Sequence, residues 1–147
     1  MTIALSGKDL AEKIEEKLPG SLEDSGPDCL LVKSESLTAV AEYLKNTDSM
    51  AFDYFNFITA VDYYSYFELV YRLDSTVHNH SIVIKTRCSD RGNPTVPSLA
   101  GLWQGANFQE REVYDLMGIK FEGHPNLKRM FLWDGFPGHP LRKDFNQ

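Results

Sequence analysis

The feature that most restricts the fold is a two-residue alternation of apolar and polar side chains in the middle of the chain. Within residues 66–73, every second side chain is apolar and falls on one side of an extended backbone: Phe67, Leu69, Tyr71 and Leu73. Residues 52–61 and 81–88 are typical of strands as well. Because short turn-like segments separate these three runs, the pattern predicts an antiparallel meander of β-strands.

The segments before the meander have the spacing of amphipathic helices. Leu10, Ile14 and Leu18 recur at four-residue intervals, and a second helical pattern covers residues 37–44. Residues 29–32 are typical of a short buried strand, and residues 97–103 are expected to form a short helix. The predicted fold class is therefore α+β, with an antiparallel sheet of about three to four strands and helices packed on it.

The clearest helix is predicted from Asn107 to Gly118. Asn107 and Glu110 have the spacing of a capping box, and Gly118 suits a left-handed C-terminal cap. The helix is densely charged, with Glu110, Arg111, Glu112 and Asp115. Arg111 and Asp115 are expected to pair on one helix face. Catalysis by two carboxylates is the weaker interpretation, because no nucleophile, phosphate-binding loop or metal-ligand set accompanies them.

The carboxy-terminal segment differs from the rest of the chain in composition and charge. Residues 119–147 contain three prolines and three glycines, which rule out a long helix and predict an irregular Pro/Gly-rich tail. Their net charge is +2, which leaves −8 on residues 1–118. An irregular tail with exposed aromatic residues gains stability only by burial against a body or a partner. We therefore expect an α/β domain at residues 1–118 and an extended docking tail at residues 119–147.

Composition disfavours several functional classes. The two cysteines, Cys29 and Cys88, are too few for an iron–sulfur cluster, which normally takes about four thiolates. His78 and His80 could share a metal, but a hairpin turn explains them better. The net charge of −6 disfavours nucleic-acid binding. No apolar run approaches the roughly 20 residues that cross a bilayer, and the amino terminus lacks the features of a signal peptide, so we expect a cytoplasmic location.

Two blocks in the last third of the chain form an extended motif. The first is Glu110-Arg111-Glu112, Asp115, Gly118-Ile119, Phe121, Gly123-His124-Pro125, Leu127 and Arg129. The second is Gly138-His139-Pro140-Leu141-Arg142-Lys143-Asp144-Phe145. With the preceding segment from Asp90 to Trp103, these blocks resemble the family of the thirty-kilodalton, or C-type, subunit of respiratory complex I (NADH:quinone oxidoreductase, NDH-1). The chain departs from many relatives at Trp133-Asp134-Gly135-Phe136, where they carry proline, two acidic residues and tryptophan.

The resemblance implies a non-catalytic structural subunit in the hydrophilic, peripheral arm of a proton-translocating NADH:quinone oxidoreductase. Such a subunit binds no cofactor or metal itself, and iron–sulfur clusters, FMN and quinone are expected in partner subunits. It is expected on the cytoplasmic side of the inner membrane, against the forty-nine-kilodalton, or D-type, subunit near the quinone module. The family-motif residues expected at the subunit interface are Glu110, Arg111, Glu112, Asp115, Gly118, His124, Pro125, Arg129, Pro140, Leu141, Arg142, Lys143 and Asp144.

Three alternatives stay open at this point. Membrane-bound hydrogenases, formate hydrogenlyases and non-NADH dehydrogenase complexes contain an equivalent subunit, and one chain does not separate them. In a different functional class, a small free-standing metal or acid/base enzyme would be built on Glu110, Glu112, Asp115 and the histidines. A lone regulator or adaptor could also use the same domain.

Overall fold

A computed structural model describes residues 3–129, 132–133 and 137–143 of the chain. Its strands, in chain order, are β1 (Ile3–Ala4), β2 (Leu22–Ser25), β3 (Cys29–Val32), β4 (Tyr54–Asp62), β5 (Phe67–Ser75), β6 (His80–Cys88), β7 (Thr95–Pro97) and β8 (Lys120–Glu122). Its helices are α1 (Gly7–Lys17), α2 (Leu37–Asn46), which follows a 3-10 turn at Ser34–Ser36, and α3 (Ala106–Met117). Within these ranges, no helix is both long enough and apolar enough to cross a bilayer.

Six of the strands form one mixed sheet in the order β2-β3-β6-β5-β4, with β1 also paired to β6. The predicted antiparallel meander is confirmed, because Tyr71 of β5 pairs with Ile58 of β4 and with Ile84 of β6. The prediction of a smaller, purely antiparallel sheet is wrong, since β1 and β3 both run parallel to β6. The partner of a short buried strand depends on the path of the whole chain, which a local pattern does not encode.

The predicted helical faces enter the core as expected. Leu10 and Ile14 of α1 are buried, and the buried residues of α2 are Leu37, Val40, Ala41 and Leu44. They join the apolar side of the sheet, whose alternating residues in β5 are fully buried. Burying one such aliphatic side chain contributes roughly 1.5–3 kcal/mol. Packing of these faces, more than helix propensity, therefore stabilises α1 and α2.

Helix α3 packs against β4, which is the edge strand of the sheet. An edge strand exposes N–H and C=O groups that can pair with another chain. Gln109 satisfies two of these groups, because its Oε1 accepts the Ile58 N–H at 2.9 Å and its Nε2 donates to the Asn56 carbonyl at 3.3 Å. This contact holds α3 along the edge of the sheet.

Residues 97–103 do not form the predicted helix. Thr95–Pro97 is strand β7, which pairs in parallel with β8, and turns follow it. The Ser98 hydroxyl and the Leu99 N–H both donate to the carboxylate of Glu110 on α3. This segment is therefore ordered by a tertiary contact together with a single turn, in which the Leu99 carbonyl accepts the N–H groups of Leu102 and Trp103.

Candidate functional site

The described part of the carboxy-terminal segment lies against α3 and one end of the sheet. We call residues 119–129, 132–133 and 137–143 the strap. It begins with β8, in which Phe121 pairs with Val96 of β7. Farther on, the backbone N–H groups of Leu132 and Leu141 donate to the Asp115 carboxylate and the Leu116 carbonyl of α3. The candidate site is this contact zone, which is organised around three buried carboxylates.

Glu110 is the first of these carboxylates and is fully buried. It accepts hydrogen bonds from the Ser98 hydroxyl at 2.6 Å and from the Leu99 N–H at 2.8 Å. Nε2 of His124, in the strap, lies 4.0 Å from its Oε1. Burial raises the pKa of the Glu110 carboxyl to about 7, although the two hydrogen bonds favour the charged form. Glu110 thus joins the segment before α3, the helix itself and the strap.

The hydrogen bonds of His124 define its tautomer. Its Nδ1 accepts the Asn126 N–H at 2.9 Å, so the ring proton lies on Nε2, which donates to the Asn107 carbonyl at 3.0 Å. A second proton on Nδ1 would oppose the Asn126 N–H. The buried ring therefore joins the strap to the first turn of α3 and lies beside Glu110.

Asp115, also fully buried, is the second carboxylate. Its Oδ2 accepts the Leu132 N–H at 3.0 Å, and the Arg129 Nε lies 3.5 Å from its Oδ1. The predicted pair between Arg111 and Asp115 is wrong, because the Arg111 guanidinium donates to the carbonyls of Lys128 and Arg129. Both ends of the expected pair therefore hold the strap instead of each other.

The third carboxylate, Asp62 at the end of β4, was missed by the sequence analysis. It accepts two hydrogen bonds from the Arg91 guanidinium, at 2.6 and 3.0 Å, and one each from the backbone N–H groups of Lys143 and Tyr64, at 2.8 Å. The hydrogen bond from Arg91 holds the pKa of the Asp62 carboxyl well below its usual range. No local signal marks Asp62, because Arg91 and Lys143 lie 29 and 81 residues away in sequence.

Gly118 ends α3 with φ of 76°, which confirms the predicted left-handed cap. The ring of His139 packs directly on this glycine, and its Nδ1 lies 2.9 Å from the Asp115 carbonyl.

At the other end of the helix, the predicted capping box is wrong. Helix α3 begins at Ala106, its capping residue is Gly105, and no side chain caps it.

We expect Gly118→Ala to lower the free energy of unfolding by about 1–3 kcal/mol. A Cβ at this position would lie 2.6 Å from Cδ2 of His139 and would also carry the cost of the left-handed backbone. Gly101→Ala is the matched control, because a Cβ there meets nothing within 4 Å. Urea denaturation of both variants provides the measurement. Equal effects of the two substitutions would contradict the close-packing argument.

The other predicted interface residues line the outer surface or the rim of this zone. Arg142 is half-buried and donates to the Arg91 carbonyl at 2.9 Å, and Pro140 is half-buried. The exposed positions are Glu112, Pro125, Leu141 and Lys143. Trp133, in the strap, is 65% exposed, and Leu141 is 60% exposed. Asp144 lies outside the described residues.

Leu141 also borders a shallow groove of about 70 Å³ between α3 and the β4 edge. Ile58 and Ala60 line one side of this groove, and Val113 and Leu116 line the other. Exposed apolar side chains therefore lie beside the exposed charges of Glu112 and Lys143 on this surface, while the carboxylates of Glu110 and Asp115 are buried beneath it. Among the described residues, no group of three or more His, Cys, Asp or Glu side chains could hold a metal ion.

Comparison with known proteins gives consistent matches. A family model described as the 30 kDa subunit of the respiratory-chain NADH dehydrogenase matches residues 30–147. The NADH-quinone oxidoreductase C subunit of Roseiflexus sp. (strain RS-1) is 39% identical, over 97% of this chain and 85% of that protein. The NADH-quinone oxidoreductase C/D subunit of Phocaeicola vulgatus is 41% identical, over 72% of this chain but 21% of that protein.

A solved structure is also similar to this chain. It is that of the membrane-bound sulfane sulfur reductase, described as an archaeal respiratory membrane complex. The TM-score is 0.76 and the sequence identity 27%, with 95% of this chain and 85% of the matched chain covered. The family match covers most of the chain and includes α3 and the strap. The chain therefore belongs to the family of the 30 kDa subunit of the respiratory-chain NADH dehydrogenase.

Proposed function

We propose that this chain is a non-catalytic structural subunit of the peripheral arm of a proton-translocating NADH:quinone oxidoreductase, and that the outer surface of the strap docks it onto the D-type subunit. Family membership and the names of its relatives support the assignment to this kind of complex. One observation carries the docking surface. The strap turns its polar anchors inward, toward Asp115 and Asp62, while Trp133 and Leu141 stay exposed.

The C/D relative supports the choice of partner. This chain matches only 21% of that protein, whose name assigns it to both the C type and the D type. Two parts of one polypeptide are held close together by their linkage. A D-type subunit is therefore the neighbour that we assign to this chain.

The use of the buried carboxylates supports a structural role. Glu110, Asp115 and Asp62 are all buried, and each accepts hydrogen bonds that order the strap or the segment before α3. A catalytic acid or base must reach the proton of a bound substrate, and these groups face the protein interior.

We assign the iron–sulfur clusters, FMN and quinone to partner subunits, and we place this chain peripherally on the cytoplasmic side of the inner membrane.

The equivalent subunit of a related membrane complex is the second candidate. The similarity to the sulfane sulfur reductase complex favours it, because that complex is named for a different electron-transfer reaction. The two candidates predict different companions in the assembled complex. A flavoprotein subunit that oxidises NADH identifies the first candidate, and its replacement by another redox module identifies the second.

Replacing Trp133 and Leu141 together by serine is expected to lower recovery of the D-type subunit at least tenfold. A hot-spot side chain at an interface costs about 2 kcal/mol or more when it is truncated, which exceeds a factor of ten in affinity, and tryptophan is enriched among hot spots. The measurement is affinity purification of the tagged chain from gently solubilised native membranes. Val77→Ser is the control, because Val77 is 69% exposed in the β5–β6 turn and away from the strap.

Several outcomes would contradict the proposed function. Unchanged recovery with the double variant would remove the strap from the interface. Turnover by the purified chain alone, or a stoichiometric bound metal, would favour a free-standing enzyme. Normal assembly with a sharp loss of turnover would contradict a purely structural role.

A further inference from the structure

The turn between β4 and β5 has an unusual combination of strain and exposure. The turn is closed by a hydrogen bond from the Tyr63 N–H to the Tyr66 carbonyl at 2.9 Å. Tyr64 at its tip has φ of 67°, and its side chain is 66% exposed. Tyr63 is 46% exposed and its ring lies 5.2 Å from that of Tyr66. We call residues 63–66 the tyrosine tip.

A tyrosine at position 64 does not favour the observed backbone conformation. A left-handed φ costs roughly 1 kcal/mol for a residue with a Cβ, whereas glycine adopts it freely and asparagine readily. The turn holds Tyr64 in this conformation because Asp62 accepts the Tyr64 N–H at 2.8 Å. A side chain that remains 66% exposed recovers little of this cost by burial in its own chain. Strain of this kind is concentrated at functional positions.

A cation packs on each of two rings of the tyrosine tip. The Lys143 Nζ lies 4.6 Å from the centroid of the Tyr64 ring, and the Arg87 guanidinium lies 4.8 Å from that of Tyr66. Lys143 is placed there by the hydrogen bond from its backbone N–H to Asp62. Two buried carboxylates lie nearby: Asp62 accepts from Arg91, and Glu68 lies 3.3 Å from Arg87 and 4.0 Å from Lys85. Three cations therefore face two carboxylates, and Lys143 adds a further positive charge. The tip therefore presents tyrosine rings and positive charge on a chain with a net charge of −6.

We infer that the tyrosine tip, together with Lys143 and Arg87, is a second docking point that receives an acidic, extended segment of the D-type subunit. Tyrosine is enriched among the residues that dominate binding energy at interfaces, and the positive patch selects a negative counterpart. The same Asp62 orders both the tip and the end of the strap, so the two docking surfaces are positioned together. This inference rests on the proposed function and adds where, and with which chemistry, the partner binds.

Other occupants fit less well. Electrostatic binding to an anionic lipid surface typically uses about four to eight basic residues in one cluster, whereas Arg87 and Arg91 beside the tip are each paired with a buried carboxylate. A symmetric contact with a second copy of this chain would place the same cations opposite each other, which is repulsive. Both occupants are separate outcomes of the cross-linking experiment below.

Tyr64→Gly separates docking from folding. Because glycine relieves the left-handed strain, the variant should unfold at the same temperature as the parent chain or higher. Its recovery with the assembled complex should nevertheless fall at least tenfold, when the tagged chain is purified from solubilised membranes. Tyr54→Ala is the matched control, since Tyr54 is 52% exposed at the opposite end of β4. Undiminished recovery of the Tyr64→Gly variant would overturn the inference.

A photoreactive benzoylphenylalanine in place of Tyr64 identifies the occupant in the assembled complex. We expect a cross-link to a peptide of the D-type subunit that has a net negative charge. Cross-links to lipid, to a second copy of this chain or to a neutral or basic peptide, and the absence of any cross-link, would each overturn the inference. If the D-type subunit is recovered with the parent chain in those cases, the proposed function stands and only the tip assignment fails.

Discussion

Asp115→Ala is expected to lower the free energy of unfolding by about 3–5 kcal/mol, a large fraction of the stability of a domain of this size. Asp115 is fully buried, and the side chain of Arg129 opposite it is 11% exposed. Without the carboxylate, the largely buried Arg129 guanidinium loses an opposite charge that offsets the free-energy cost of its desolvation. It also removes the acceptor of the Leu132 N–H, so that the strap loses a backbone anchor.

Urea denaturation of four proteins tests this expectation: the parent chain, Asp115→Ala, Arg129→Ala and the double variant. If the two side chains act as a pair, the double variant should cost clearly less than the sum of the single variants. Glu112→Ala is the control on the same helix, because Glu112 is exposed, and its effect should stay within about 0.5 kcal/mol. A cost below about 1 kcal/mol for Asp115→Ala would contradict the anchoring role.

The buried anchors explain how an irregular segment can act as a docking surface. The prolines and glycines of the strap prevent a long regular element, so contacts with the rest of the chain must help to fix its conformation. Asp115 and Asp62 supply acceptors for the backbone N–H groups of Leu132 and Lys143, and the Leu116 carbonyl accepts that of Leu141. A surface ordered before binding loses less conformational entropy on association. The carboxylates of this chain therefore order, before binding, the surface onto which we propose that the partner docks.

Local sequence patterns predicted the parts of the fold that are determined locally. The alternation around Tyr71 gave the meander, and the spacing of Leu10 and Ile14 gave the buried face of α1. Gly118 was recognised as a cap because few other residues tolerate its φ. In each case, one residue type and its near neighbours determine the outcome.

The errors concern residues whose partners are distant in sequence. Glu110 has the spacing of a capping residue, but Ser98 and Leu99 approach it from the preceding segment. Asp115 has Arg111 within helical reach, yet its partner Arg129 comes from the strap. The parallel pairing of β3 with β6 likewise depends on the route of the chain. Such contacts become visible only when the tertiary structure brings these segments together.

Glu110 is expected to make stability depend on pH in the near-neutral range. Its pKa is raised from 4.5 to about 7 by burial, so between these values the folded chain holds a proton that the unfolded chain has released. Stability contributed by this group is therefore fully present below about pH 4.5 and is lost as the pH rises to about 7. The loss is about 3 kcal/mol, at roughly 1.4 kcal/mol per pKa unit. For Asp62 the pH dependence of stability has the opposite sign. Because its pKa is lowered in the folded chain, the stability that it contributes is lost only as the pH falls below the usual pKa of an aspartate.

Glu110→Gln isolates this effect, because glutamine keeps a carbonyl acceptor for the Leu99 N–H and does not titrate. The free energies of unfolding of the parent chain and the variant should be measured by urea denaturation from pH 4.5 to 8. The parent chain should lose about 3 kcal/mol relative to the variant across this range, and most of the loss should occur below pH 7. The exposed Glu112→Gln provides the reference, for which the same difference should stay flat. A flat difference for Glu110→Gln as well would mean that the buried carboxyl does not resist ionisation, and that its hydrogen bonds compensate for burial.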